Sequence, residues 1–186
     1  TWLPSARIDF RLSEGVSLSA NVSGVISKGN FSYGDGLVRQ NNDIRQARSG
    51  LDLWGLTEGG HYHLKAYYNT SDRGTPGSVE WPSEDRQADR NVFVQGVLLR
   101  NFSPLYTLHL SGKSSWDSIF YSSAWGDSRY GQTEFQLNSV HDFQIRSWWK
   151  LSFAADLQWD ALSSTNYHAS RLTAFSAIAS SFRTSR

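Results

Sequence analysis

The sequence contains no cysteine and no methionine. Without cysteine there can be no disulfide, no thiolate zinc site and no cysteine nucleophile. Without an initiator methionine, a processed chain or a piece of a longer one is expected, with any export signal lost upstream of Thr1. No run of about eighteen apolar residues occurs, which excludes a transmembrane helix but not a barrel. Formal net charge is only +1, so the chain carries neither the basic footprint of a nucleic-acid binder nor an acidic tail. It has no Gly-x-Ser-x-Gly elbow and no acid–histidine pair placed to activate a serine, so an enzyme is not expected. No segment is low-complexity.

The 186 residues suffice for one domain, expected to run over 1–186. Mean hydropathy is −0.48, which would ordinarily argue for a soluble protein. A barrel also gives a low mean, because each strand offers alternate residues to lipid and the rest to a polar lumen. Aromatic residues make up 14%, with eight tryptophans and eight tyrosines, and bilayer interfaces collect such amphipathic rings.

The clearest local signal lies between Gln132 and Trp159. Thr133, Phe135, Leu137, Ser139, His141, Phe143 and Ile145 alternate with Gln132, Glu134, Gln136, Asn138, Asp142 and Gln144. After a turn, Leu151, Phe153, Ala155, Leu157 and Trp159 oppose Lys150, Ser152, Asp156, Gln158 and Asp160. A period of two means strands. Their length exceeds the five or six residues usual in globular sheets and suits a tilted strand crossing a bilayer. Equivalent patterns place nine strands at about 5–12, 16–26, 44–54, 61–70, 91–100, 105–113, 132–145, 149–160 and 171–183. The strand at 91–99 is apolar on both faces, and 171–183 reads in either register.

The expected connections alternate in length. Short turns at 13–15, 55–60, 101–104 and 146–148 are interleaved with long loops at 27–43, 70–90, 114–131 and 161–170. That layout predicts an all-β, antiparallel up-and-down transmembrane barrel segment with periplasmic turns and extracellular loops. Bacterial single-chain barrels have even strand numbers, so nine strands point to part of a larger barrel.

Three segments carry a family resemblance. They are Asn41-Asn42-Asp43-Ile44-Arg45, the stretch from Leu64 to Gly77 with its Asp72-Arg73-Gly74-Thr75-Pro76-Gly77 element, and the Gln132–Leu157 hairpin with its Trp148-Trp149 turn. Together they resemble the barrel of TonB-dependent outer-membrane receptors, particularly the Bacteroidota type related to vitamin B12 and siderophore receptors. The resemblance covers most of the chain, and the Asp72–Gly77 element is its most specific piece. It implies a barrel of about twenty-two strands, an N-terminal plug, coupling to the TonB complex through that plug, and import of a large scarce ligand, cobalamin-like or siderophore-like. A surface lipoprotein is a further partner to look for. The plug and the TonB box do not occur in these residues, and the chain ends at Arg186 instead of on the aromatic strand usual for such barrels. A truncated barrel in the bacterial outer membrane is therefore expected.

Candidate site residues come from the expected loops. Tyr33, Arg73, Trp81, Trp116, Tyr121 and Trp125 are candidates for the ligand side, since exposed aromatics can stack on a corrin, a sugar or an aromatic siderophore. For Arg73 the competing reading is a fixed bend, with two glycines and Pro76 setting the turn. For the loop tryptophans and tyrosines it is an aromatic girdle or loop-on-loop packing. Asp85 and Asp89 are weak calcium candidates, against which the interleaved Arg86 and Arg90 favour mutual salt bridges. No other cofactor is expected.

Trp54, Tyr106, Trp148 and Trp149 lie beside short turns and are expected in the periplasmic aromatic belt. Ser17, Asn21, Lys65, Asn69, Gln136 and Asp156 should line the lumen. His61 and His63 share a face, but two ligands make a weak metal site and a lumen position explains them better. His141 falls on the lipid-facing register. Rival readings are a passive porin-type barrel, which needs no plug, and a soluble carbohydrate-binding β-sandwich using its tryptophans.

Overall fold

The computed structural model describes residues 1–34 and 36–183. Alternating side chains do produce strands throughout: β1 (Ser5–Ser13), β2 (Val16–Ser27), β3 (Ser32–Tyr33), β4 (Leu37–Val38), β5 (Ile44–Thr57), β6 (Gly60–Gly77), β7 (Pro82–Ser103), β8 (Tyr106–Ser123), β9 (Gly126–Arg146), β10 (Trp149–Ser164) and β11 (Tyr167–Phe182). Nine of them form one antiparallel up-and-down sheet in the order β1-β2-β5-β6-β7-β8-β9-β10-β11, and β3 pairs with β4 inside the 28–43 connection. The sheet is not closed, since β1 and β11 each pair on one side only.

The expected strand positions hold at their inner ends, but three of the four long loops do not exist as loops. Residues 70–77 continue β6, 82–90 begin β7, 114–123 continue β8, 126–131 begin β9, and 161–164 and 167–170 extend β10 and β11. Only 28–43 remains a long connection. The hairpins β6–β7 and β8–β9 therefore project far beyond β5. Their backbone groups are satisfied by the ladder itself, as an extended segment without a core requires.

Cross-strand partners fix which side chains share a face. One face carries Leu18, Leu53, Leu64, Gly96, Val94, Leu110, Leu137, Phe135, Leu157 and Ile178; the other carries Ser19, Asp52, Lys65, Gln95, Lys113, Gln136, Asp156 and Thr173. The two doubtful strands resolve on this register. In β7 the polar face holds Asn91, Phe93, Gln95, Val97 and Leu99, so its apolar residues really do occupy both sides. In β11, Arg171, Thr173 and Phe175 share the polar face with Asp160, Gln158 and Asp156.

There is no second layer. Among the described residues no hydrophobic side chain is buried, and the accessible surface is 13210 Å². A compact soluble domain of this mass would expose about 9,000 Å². The excess is the apolar face: Ile8, Phe10, Val22, Leu51, Val94, Phe135, Phe153 and Trp159 all stand more than a third exposed.

Aromatic rings mark two lines on that face, one from β7 to β11 and one from β6 to β10. Near the two-residue turns lie Phe102, Tyr106 and Phe143, stacked with centroids 5.4 and 5.0 Å apart, and then Trp149 against Phe182 at 6.1 Å. Toward the projecting hairpins lie Tyr68, Trp116, Phe135 and Trp159 on the same face. Between the lines β8 presents Leu108, Leu110, Gly112 and Ser114, and β10 presents Leu151, Phe153, Ala155 and Leu157, with no full charge among them. His141 does sit on this face, where its Nδ1 lies 2.9 Å from the Tyr106 hydroxyl. That partner satisfies a polar ring among apolar neighbours. No helix of the described residues is long and apolar enough to cross a membrane.

Trp54 departs from its expected place. It lies near a short turn but on the polar face, with Ser17 and His63 as its Cα partners, so it is no part of the aromatic line that contains Tyr106 and Trp149. Asp52 and Trp54 are two positions apart in β5 and must face the same way.

Candidate functional site

The polar face carries clusters of side-chain hydrogen bonds, most of them between neighbouring strands. Glu134 accepts from Lys113 Nζ and Ser115 Oγ at 3.2 Å each, and from Gln136 Nε2 at 2.6 Å. Asp142 accepts from Lys150 Nζ at 2.7 Å and Ser152 Oγ at 2.6 Å, with His109 at 3.8 Å. Asn138 donates to Asp156, Gln46 to Asn69, and Arg171 to Asp160, each at 3.0 Å. His63 Nε2 lies 2.8 Å from Asp52, which also has Lys65 at 3.7 Å. Ser17, Asn21, Lys65, Asn69, Gln136 and Asp156 all lie on this face, as the alternation requires. His61 and His63 share it too, and His63 is engaged by a carboxylate.

Beyond the outer aromatic line this face continues onto the projecting hairpins. Arg73 and Tyr121 are both Cα partners of Gln87, so they lie on one row from β6 to β8. Arg73 approaches Asp89 at 3.5 Å, and Asp89 also accepts from Ser71 Oγ at 3.0 Å and Gln87 Nε2 at 2.7 Å. Tyr121 donates its hydroxyl to Asp85 at 2.5 Å. That acceptor stabilises the phenol over the phenolate and raises the Tyr121 pKa.

Asp85 and Asp89 are thus occupied by protein donors. Among the described residues no group of three or more His, Asp or Glu side chains is gathered as a metal would need.

The remaining candidates separate. Trp81 sits in the turn between β6 and β7 and Trp125 in the turn between β8 and β9, at 80% and 98% exposure. Tyr33 lies in β3, within the long connection. Trp116 is not in a loop: it is in β8 on the apolar face, a Cα partner of Val92 and Thr133. Its ring belongs to the outer aromatic line and turns away from Arg73 and Tyr121.

The sequence reading missed a hollow of about 270 Å³ on the polar face of the projecting hairpins, lined by Ile119, Tyr130, Leu162 and Tyr167 with Asp117 and Gln132 at its rim. Ile119 and Tyr130 are Cα partners, so an apolar side chain at a polar-face position was the available signal. It could be read only once β8 was known to extend past 113.

On the opposite side of β6–β7 the 28–43 connection is strapped down. Arg86 donates to both carboxylate oxygens of Asp43, at 3.2 and 3.1 Å, and also engages Asp72. The guanidinium holds the Asp43 carboxyl below its ordinary pKa, and the two aspartates raise that of Arg86. Asn41 Nδ2 donates to the carbonyls of Ser83 and Asp85 at 3.0 and 2.8 Å, and Gly74 N donates to Asp43 O at 3.0 Å. Gly74 makes this approach feasible, because a Cβ there would collide with the Asn41 carbonyl. The Arg73–Gly77 element is therefore partly a landing site; its bend comes at the register shift between Thr75 and Gly77, where Gly77 has φ +68°.

No family model matches the chain, and no curated protein matches it.

Proposed function

We propose that this chain is part of the wall of an outer-membrane β-barrel that takes up a large, scarce ligand in a TonB-dependent manner. The observation that carries the membrane reading is the apolar band held between two aromatic lines. From Tyr106 to Trp116, and from Trp149 to Trp159, the strand covers ~34 Å at roughly 3.4 Å per residue. At a barrel tilt of roughly 45° that is ~24 Å of height, close to the ~25 Å apolar band of outer-membrane barrels. The hydrogen-bonded polar face is then the lumen wall. Both free edges need further strands, since lipid cannot satisfy backbone N–H and C=O groups.

The uptake reading is supported by the projecting hairpins and by the family resemblance of the Leu64–Gly77 and Gln132–Leu157 stretches. Arg73, Tyr121, Trp81, Trp125 and Tyr33 are the ligand-side residues of this proposal. Trp116 faces lipid and is not among them.

The test uses the full-length protein. It should require detergent for extraction, and cells carrying it should accumulate labelled cobalamin or a ferric siderophore only while TonB is present. A protein that remains monomeric in plain buffer would be a soluble β-sandwich. Accumulation that persists without TonB and falls with solute size would mean a passive pore.

A further inference from the structure

The apolar face does not end in neutral residues at the hairpin end. Immediately beyond Val92, whose Cα partners are Tyr68 and Trp116, the same face of β7 presents Arg90. One side-chain step farther out, a cross-strand row runs Arg45, Asp72, Ala88, Phe120, Arg129 from β5 to β9. Arg45 and Arg129 thus flank Arg90 from two strands away on either side, about 10 Å laterally at the usual strand spacing. All three are exposed. Among the described residues none has a carboxylate within salt-bridge distance, whereas Arg86 on the same hairpin is committed to Asp43 and Asp72. Arg129 also lies 5.2 Å over the Phe120 ring, which fixes its guanidinium on this face.

We propose that Arg45, Arg90 and Arg129 form a docking surface for a phosphorylated lipid of the leaflet at the hairpin end, its acyl chains lying along the apolar band and its phosphates on the three guanidiniums. The inference rests on the barrel reading. Arginine is suited to the task because its planar fork matches phosphate oxygens in pairs and its stem lies along apolar surface while the charge reaches the headgroup level. Thr70 and Ser118, the Cα partners of Arg90, add hydroxyl donors to the same patch. Asp72 shares Arg86 with Asp43, and Asp127 follows Arg129 on the same face, so the four guanidiniums of Arg45, Arg86, Arg90 and Arg129 meet three carboxylates and a net positive charge remains. Clustered basic residues at a membrane surface attract anionic lipid headgroups for this reason.

The experiment measures thermal melting of the full-length protein in a neutral, phosphate-free detergent, with diphosphoryl lipid A, the same lipid dephosphorylated, or inorganic phosphate added. Diphosphoryl lipid A should raise Tm, and the dephosphorylated lipid and inorganic phosphate should not. The R45Q/R90Q/R129Q variant should lose at least half of the rise with an unchanged lipid-free Tm. The single variant R90Q should lose part of it, and R100Q, at the opposite end of the band, none. A full rise in the triple variant, or an equal rise from dephosphorylated lipid or free phosphate, overturns the proposal. If the triple variant does not fold, R90Q against R100Q decides by the same criterion. A protein that needs no detergent refutes the barrel reading instead.

Discussion

Asp156 and Leu157 are neighbours in β10, yet what completes each of them differs. Asp156 finds its partner inside the sheet, accepting from Asn138 Nδ2 at 3.0 Å. Leu157 has same-face neighbours in Leu137 and Ala174, but nothing lies over them, and its side chain is 37% exposed. The same contrast runs from β2 to β11. One face carries most of the sheet's side-chain hydrogen bonds, and the other leaves a band of apolar side chains for something else to cover. A single sheet with no second layer cannot hold its strands by core packing, so the medium against the apolar face is part of what stabilises the fold.

The largest test of that contrast places a charge on each face. Leu110→Arg and Ala155→Arg, midway between the two aromatic lines on the apolar face, should each cost ~2–4 kcal/mol in the full-length protein, while Gln136→Arg on the polar face should be mild. Equilibrium unfolding from lipid vesicles measures this. Similar costs at all three positions would show that the two faces are not different environments.

A second test acts on the strap across β6–β7. Gly74→Leu drives a side chain into the Asn41 carbonyl, and overpacking of this kind costs about 1–3 kcal/mol. The 28–43 connection should lift away from the hairpin and become a protease site, while the sheet keeps its detergent-solubilised melting temperature. Cleavage unchanged from the parent would mean that the strap does not depend on the close approach at Gly74.

The faces were legible in the sequence where they differ chemically and illegible where they do not. From Gln132 to Trp159, polar and apolar residues alternate, so strand, register and facing all follow from the order of residues. Between Asp72 and Asp89 both sides of the hairpin carry charges and small polar groups. Alternation disappears although the strands continue, and Gly74, Pro76 and Gly77 imitate a loop. Trp116 was misread for the same reason. Its neighbours Ser114, Ser115, Asp117 and Ser118 are polar on both faces, so nothing local announces that the ring returns to the apolar side. The Tyr121–Asp85 and Arg73–Asp89 pairs depend on the register between strands, which no spacing within one segment encodes.

The third prediction is smaller and concerns pH. The folded Asp43 carboxyl titrates below its unfolded value because Arg86 donates to it. Its contribution is therefore complete above the unfolded pKa of about 3.9 and is lost as pH falls through the lower folded value. Hydrogen exchange in 28–43, taken relative to the intrinsic rate at each pH, should be slow at neutral pH and rise below about pH 4. In Asp43→Asn it should already be faster at pH 7 and less sensitive to acid. The pair is partly exposed, so the effect should not exceed about 1 kcal/mol. Exchange in the parent that ignores acid would assign the docking to Asn41 and the backbone bonds alone.

The smallest effect separates two tryptophans that a loop reading would treat alike. Trp116 and Trp125 lie close in sequence at the outer end of β8, but the first faces the apolar side and the second stands 98% exposed at the hairpin tip. Replacing Trp125 with serine should change stability by no more than about 0.5 kcal/mol and remove a fluorescence component quenched by acrylamide. Replacing Trp116 should remove a component quenched by brominated lipid, because an indole at the outer aromatic line sits where headgroups meet acyl chains. The two quenchers are orthogonal, so the outcome does not depend on how much either ring contributes to folding. If acrylamide reached both rings and brominated lipid neither, the band between the aromatic lines would be facing water, and the contrast between the two faces would need a cover other than a bilayer.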